Sequence, residues 1–432
     1  MTAFTKTIIK PLQQYQGAYP WIVWAVSMLF VLFQFFLQIS SGVIIDGLMK
    51  DFSLSALGGG VLVSTYYYIY VLLQMPAGLL VDYFGPRRVL TIGAAVCALG
   101  CLLFGFSRVL SVAIVGRLLM GGGAAFAFVG SLNVVARWFP LNRFILLTGL
   151  AESIGMIGGI LGGLFLAKLV QFLGWRHAMI GAAFLGFLIS MLIGLIVRDR
   201  SDHHVSSPMT MIFDRSLWCD LKSLIRKKIA WINGAYSGLL FAVVTVFVAL
   251  WGIPYIMLAY HVRLIIATLI CDLVFLGVAI GTPLVGWLDG QIYHRRPLLI
   301  GGALGSAVLL SIVIYVPILP LGLLCVLMAL LGILLSVYML PFAIGNEIVP
   351  PHWRGASIGF VNCLSVAGAP LLQPLVGLIL YLFTTHSGYG IDRYAVLHYQ
   401  IALSVLPIIL LLAAGLARYL PNRRQQETAP LK

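Results

Sequence analysis

Three ionisable side chains stand inside long apolar runs: Glu152 in GLAESIGMIGGILGGLF, Asp272 in LICDLVFLG and Arg117 in GRLLMGGGAAFAF. An isolated acid among apolar neighbours is costly to keep ionised, so it can take up or release a proton as its surroundings alternate between water and protein. Glu152 is the foremost candidate, with no basic residue in the four positions on either side. The structural alternative is a protonated or hydrogen-bonded packing residue. Asp272 and Arg117 fall at similar depths in their runs, which leaves open whether they pair, and Arg117 is also able to snorkel to the interface. A second group of polar and aromatic residues could hold a polar solute: Gln34, Gln38, Tyr67, Tyr70, Gln74, Asn133, Trp251, Tyr255 and Asn362. Asp46 and Glu347 stand near run ends, where solvated or capping roles are expected, and are secondary candidates.

The elements that must position these residues follow from composition. The 432 residues are 61% hydrophobic and 9% charged, with a mean hydropathy of +1.05, against roughly 25% charged in a soluble domain. Such a chain belongs in a bilayer, where each crossing takes about 20 residues. Apolar runs between charge and turn clusters predict helices near 21–45, 58–81, 89–106, 111–135, 144–169 and 177–197, then 230–260, 264–288, 298–316, 321–344, 356–383 and 401–420. The expected fold is therefore all-α, with twelve transmembrane helices. The longest hydrophilic interval, 198–228, separates an N-terminal bundle (1–197) from a C-terminal bundle (229–432) and reads as a central loop.

The net charge of +14 would suggest nucleic acid in a soluble protein, but here the basic residues sit in short connections beside apolar runs. With both termini on one side, 20 Lys and Arg fall in that side's connections and 6 in the opposite ones. The asymmetry predicts cytoplasmic termini and a cytoplasmic central loop. The six cysteines form no CxxC pair, so neither a disulfide nor a zinc framework is implied. No cleavable signal is read in the first 20 residues, which carry Lys6, Lys10 and three glutamines.

The two bundles repeat one another at an offset near 207–211 residues. GLLVDYFGPRR (Gly78, Asp82, Gly85, Arg87, Arg88) follows the second run, and GWLDGQIYHRR (Gly286, Asp289, Arg295, Arg296) follows the eighth, with the aspartates 207 apart. Arg143 with Gly149 and Arg354 with Gly359 echo at 211 and 210, and Glu152 aligns with Asn362. Parallel duplication of this kind places a solute site between the bundles near mid-membrane.

GLLVDYFGPRR resembles the cytoplasmic loop motif GxxxDRxGRR of the major facilitator superfamily, with Tyr83 where a basic residue is usual. The physical needs are a tight turn at Gly85, an Asp82 carboxylate at a neighbouring helix's positive N-terminus, and arginines held on the cytoplasmic side. The resemblance implies a fold of two six-helix bundles related by a pseudo-twofold axis. It also implies a gating latch built from Gly78, Asp82, Gly85, Arg87, Arg88, Asp289, Arg295 and Arg296, and a monomeric carrier. Topology anchoring is the plainer role for the arginines. Arg117 before Gly121, Gly122 and Gly123 is similar to the family's RxxxG pattern. The glycines of the fifth run (Gly155, Gly158, Gly159, Gly162, Gly163) resemble the exchanger motif without its proline, and read as close helix packing. Gly252 and Pro254 mark an expected kink in the seventh run.

No HExxH, GxSxG or nucleotide loop occurs, and the eight histidines fall in loops or at run ends, which argues against an enzyme and against a metal or cofactor. Duplicated bundles favour alternating access over a channel. The partners expected are a small solute, protons and the lipid bilayer, without nucleic acid, and the expected location is a bacterial inner membrane. The missing proline and Glu152 lean toward proton-coupled uptake. The region from Tyr66 to Arg88, with the spacing YxxxQxPxGxxxDxxGPRR, is similar to nutrient carriers of intracellular bacteria and to the lysosomal dipeptide branch, implying amino acids, short peptides or similar nutrients. Export of drugs, siderophores or other amphipathic compounds is the alternative.

Overall fold

The computed structural model describes residues 17–139, 141–199, 225–292, 294–316, 319–349, 354–383 and 394–422, and these are almost wholly helical. Eleven helical segments are long and apolar enough to cross a membrane. One of them, Leu147–Ile196, has 50 residues, about 75 Å at the helical rise, more than twice the hydrocarbon core of about 30 Å. It turns at Gly174, whose φ of 77° and ψ of 162° break the helix, so it makes two crossings. The helices are α1 Tyr19–Asp51, α2 Ala56–Phe84, α3 Pro86–Phe106, α4 Leu110–Trp138, α5 at 141–173 and α6 at 175–196. There follow α7 Lys228–Tyr260, α8 Leu264–Gln291, α9 Arg296–Tyr315, α10 Leu321–Glu347, α11 Arg354–Leu382 and α12 Val396–Tyr419. The twelve helices fit the expected all-α membrane fold, most of them extending a few residues beyond their apolar runs.

Most of the expected central loop, 198–228, lies outside the described residues, as do the side chains of Asp82, Arg143 and Arg354. Residues Arg198 and Asp199 and those from Ile225 onward are described.

Small residues set the packing distances. A Cβ on Gly155 would lie 2.5 Å from the Phe35 ring, and one on Gly162 2.6 Å from Phe36, so α5 reaches α1 only because these positions carry no side chain. Three seams join the first six helices to the last six: α2 with α11, α5 with α8, and α1 with α7. In the last, a Cβ on Gly42 would lie 2.9 Å from the Ala249 carbonyl. At the end of the bundle remote from both described termini, the Ala56 amide donates to Tyr394 Oη at 3.2 Å.

Two helices depart from α geometry where they line the junction. In α7 the break comes earlier than Gly252 and Pro254 suggest: the helix widens to a π-helix over Val243–Trp251, a distortion common at functional sites. In α10 a 3₁₀ turn, Ser336–Met339, precedes Pro341. Proline lacks an N–H and crowds the carbonyl four residues back, which tightens this stretch.

Candidate functional site

Polar side chains gather along the junction of α1, α2, α5, α10 and α11. Gln34 Nε2 donates to Gln38 Oε1 at 3.0 Å, one turn apart on α1. On α2, Tyr70 and Gln74 are buried one turn apart, and Gln74 Oε1 accepts from Asn362 Nδ2 of α11 at 2.9 Å. Glu152 of α5 accepts a 2.9 Å bond from Tyr338 Oη of α10. The 3₁₀ turn aims Tyr338 at α5, and its backbone carbonyl is held by Ser237 Oγ of α7 at 2.9 Å. Ser237 in turn receives Ser365 Oγ of α11 at 2.6 Å. The Glu152 carboxylate is thereby tied to three helices of the last six.

Both residues aligned by the repeat, Glu152 and Asn362, thus bond across the junction. The partner of Glu152 was not suggested by spacing, since Tyr338 sits in an apolar run where only Ser336 and Pro341 interrupt the pattern nearby. Asn133 lies half-buried on α4. Of the tyrosine run, Tyr66, Tyr67 and Tyr70 are buried while Tyr68 is exposed, so one tyrosine does leave the common face.

Other candidates are engaged in packing. Trp251 is fully buried and donates Nε1 to the Gln373 carbonyl at 3.1 Å. Tyr255 Oη donates to the Ile314 carbonyl of α9 at 2.8 Å. Gln373, which sequence inspection passed over, is fully buried between Pro370 and Pro374 of α11. Its Nε2 donates to the Thr245 carbonyl in the π stretch at 2.8 Å, and its Oε1 accepts from Ser64 Oγ of α2 at 3.1 Å.

Arg117 does not snorkel. It is 1% exposed, its Nη2 donating to Ser41 Oγ at 2.8 Å and the Val63 carbonyl at 3.0 Å, with the Tyr66 ring 5.4 Å from its guanidinium carbon. No ion pair joins it to Asp272. Asp272 instead lies against Gly163 of α5, where a Cβ would approach Oδ2 to 3.0 Å.

At the terminal end of the bundle, the two loop segments are built differently. In the second, Arg295 bonds Asp289 Oδ1 at 2.5 Å and Oδ2 at 2.8 Å, and Glu347 Oε2 at 2.7 Å and Oε1 at 2.9 Å. This corrects the expectation for Glu347, which is one arm of a double bidentate clamp because α10 ends beside the α8–α9 turn. Burial works against the Arg295 charge, and the bonds to Asp289 and Glu347 outweigh it, holding the guanidinium above its usual range. Arg296 Nε donates to the Leu420 carbonyl at 2.9 Å. Asp46 pairs with Lys50 one turn along α1 at 2.7 Å, an exposed helix-surface contact.

In the first segment, Gly85 adopts a φ of 81°, as the tight turn requires, with Gly78 on the preceding helix. The acid at the N-terminus of α3 is Asp199, from the start of the central loop: its Oδ1 accepts the Arg87 amide at 3.0 Å. Arg87 also donates Nη2 to the Gly194 carbonyl at 2.7 Å, while Arg88 is exposed. An acid at a helix N-terminus is favoured by the dipole whichever chain segment supplies it.

Among the described residues, no group of three or more His, Cys, Asp or Glu is placed to hold a metal ion.

A family model described as Major Facilitator Superfamily matches residues 25–374. The chain is 28% identical over 147 residues to a probable sulfoacetate transporter of Cupriavidus necator, covering 34% of each chain. It is 28% identical over 188 residues to a probable galactarate/D-glucarate transporter of Escherichia coli, covering 42% of each. The chain thus matches between a third and just over two fifths of the length of these relatives. In fold it is similar to a bacterial homolog of the human lysosomal transporter Spinster in an inward-facing and occupied conformation, with a TM-score of 0.77, 16% identity, and 93% of this chain and 97% of that one covered. A D-xylose–proton symporter gives a TM-score of 0.70 at 17% identity, covering 93% and 98%.

Proposed function

We propose, from the premise that this chain belongs to the Major Facilitator Superfamily, that it is a secondary transporter taking up a small polar nutrient with protons by alternating access. Membership and the fold make it a membrane transporter and not an enzyme. The observation that carries the finer reading is the Glu152–Tyr338 bond, in which a membrane-buried carboxylate from the first six helices meets a hydroxyl from the last six. A proton on Glu152 changes the strength of that bond, because a hydrogen bond to an ionised acceptor is roughly twice as strong as one between neutral groups. Proton occupancy and the separation of the bundles are thereby linked.

In this reading the bundles 1–197 and 229–432, joined by the loop 198–228, rock against one another in a bacterial inner membrane, as a monomer with both termini cytoplasmic. The closed seams at the end remote from the termini then face outward. Gln34, Gln38, Tyr67, Tyr70, Gln74, Asn133 and Asn362 supply hydrogen-bond donors and acceptors to a small polar solute. Among amino acids, short peptides and small organic acids, the relatives' names favour the last, since sulfoacetate, galactarate and D-glucarate are all small organic anions.

The test uses purified protein in weakly buffered, tight proteoliposomes, with external pH followed while D-glucarate, galactarate, sulfoacetate, pooled amino acids and pooled dipeptides are added in turn. Alkalinisation with one addition is expected. No pH change with any of them would overturn proton-coupled uptake of these classes and favour export of an amphipathic compound.

A further inference from the structure

The internal repeat relates two seams that are chemically unequal. Asp272 and Ser64 are 208 positions apart, and Gln373 and Gly163 are 210 apart, both within the offset that aligns the bundles. In the α2–α11 seam Ser64 bonds Gln373. At the matching place in the α5–α8 seam, Asp272 faces Gly163. A hydroxyl and an amide on one side are thus answered on the other by a carboxylate and a residue with no side chain to offer it.

Asp272 is 2% exposed, and its Oδ2 has no hydrogen-bond partner. A bare carboxylate left unpaired in such a place is strongly disfavoured, whereas the protonated acid is not. The neighbours supply no countercharge. Thr268, one turn away, spends its hydroxyl on the Leu264 carbonyl. Cys271, the preceding residue on α8, is a buried thiol, and the 243–260 stretch of α7 that packs on α8 carries no basic group, its ionisable side chains being Tyr255 and Tyr260. The basic residues toward this end of the two packed helices, Lys168 of α5 and Arg263 just before α8, are exposed. From α10, the Ala329–Ile333 stretch packs on α8 at Gly277 and Gly281 and carries no ionisable group.

We propose that Asp272 is a proton-operated gate: the α5–α8 seam closes when Asp272 holds a proton and parts when it is ionised. The proton exchanges with water on the side toward which the seam opens. Asp272 thus licenses closure, while Glu152 carries the coupled proton. The inference rests on the alternating-access reading above and adds a second, separable proton site.

Nitroxide labels replacing exposed Phe172 at the end of α5 and exposed Ile266 at the start of α8 report this seam directly. They would be placed in full-length protein lacking its native cysteines, in lipid nanodiscs without solute, and the distance distribution read by pulsed electron resonance from pH 5.5 to 8.5. The parent should gain a longer-distance population as pH rises, with the open-to-closed ratio changing by up to about tenfold per pH unit for one linked proton. Asp272→Asn should hold the short distance at every pH. Asp272→Ser, which copies the matching residue of the other bundle, should do the same and guards against a folding defect peculiar to one variant. Retention of the parent's pH response by both variants overturns the gate. Loss of the response in Glu152→Gln, with both Asp272 variants responding normally, overturns the gate and leaves the Glu152 reading standing. A parent with no pH response at all overturns the gate, and the Glu152 reading is then judged by the solute-driven pH assay.

Discussion

Ser64 Oγ donates a 3.1 Å hydrogen bond to Gln373 Oε1, joining α2 to α11 across 309 positions of sequence. The same amide holds the π-helical stretch of α7 through the Thr245 carbonyl. Replacing Gln373 by Leu leaves two buried polar groups unanswered, at about 1–3 kcal/mol each. The variant should melt several degrees below the parent in detergent, and its seam should open more readily. An unchanged melting temperature would show that this amide does not hold the seam.

Glu152→Gln should abolish proton-driven accumulation while sparing solute exchange, because the amide fills the site and cannot ionise. Unaltered accumulation would remove Glu152 from the mechanism. Tyr338→Phe keeps the ring, 5.0 Å from Phe241, and loses only the hydroxyl. Uptake should fall about tenfold or more, since hydrogen bonds to charged groups are worth about 1.5–3 kcal/mol. The double variant should be no worse than Glu152→Gln alone, a non-additivity measurable by the same uptake assay.

Arg295 is the hub of the second loop segment, its side chain 2% exposed and clamped by Asp289 and Glu347. Removing it leaves two carboxylates without a counter-ion, a loss of about 3–5 kcal/mol for a buried pair. Arg295→Ala should therefore expose the terminal end of the bundle to protease and lower thermal stability sharply. Arg295→Lys should recover part of this, because a lysine keeps the charge but cannot span both carboxylates bidentately. Equal stability of the two variants would show that charge alone matters.

Gly85 and Gly174 both adopt positive φ, 81° and 77°. They differ in surroundings. A Cβ on Gly85 would lie 2.6 Å from Asp199 Oδ2, whereas none of the atoms around Gly174 comes within 4 Å of such a Cβ. Gly174→Ala should cost only the backbone strain of about 1–3 kcal/mol that a side chain meets at this φ and ψ. Gly85→Ala should cost more and weaken the Asp199 contact with the Arg87 amide, which a thermal-shift comparison of the two variants resolves.

The sequence by itself determined the class of the protein and the number of its crossings, because both follow from the lengths of apolar runs measured against a bilayer of fixed thickness. It also located the Gly85 turn and the glycines through which α5 meets α1, since close backbone approach and positive φ leave glycine as the residue of choice. What it could not assign was partners. A helix apolar on nearly every side carries no periodicity to say which face turns inward, so Trp251 and Tyr255 looked like Gln74 and Asn362 as solute contacts. The contacts of Glu152 with Tyr338, 186 positions away, and of Gln74 with Asn362, 288 away, arise from the docking of one bundle on the other. The acid at the α3 N-terminus shows the part that tertiary structure decides: the helix dipole favours a carboxylate there, and the fold brings Asp199 to it from the start of the central loop.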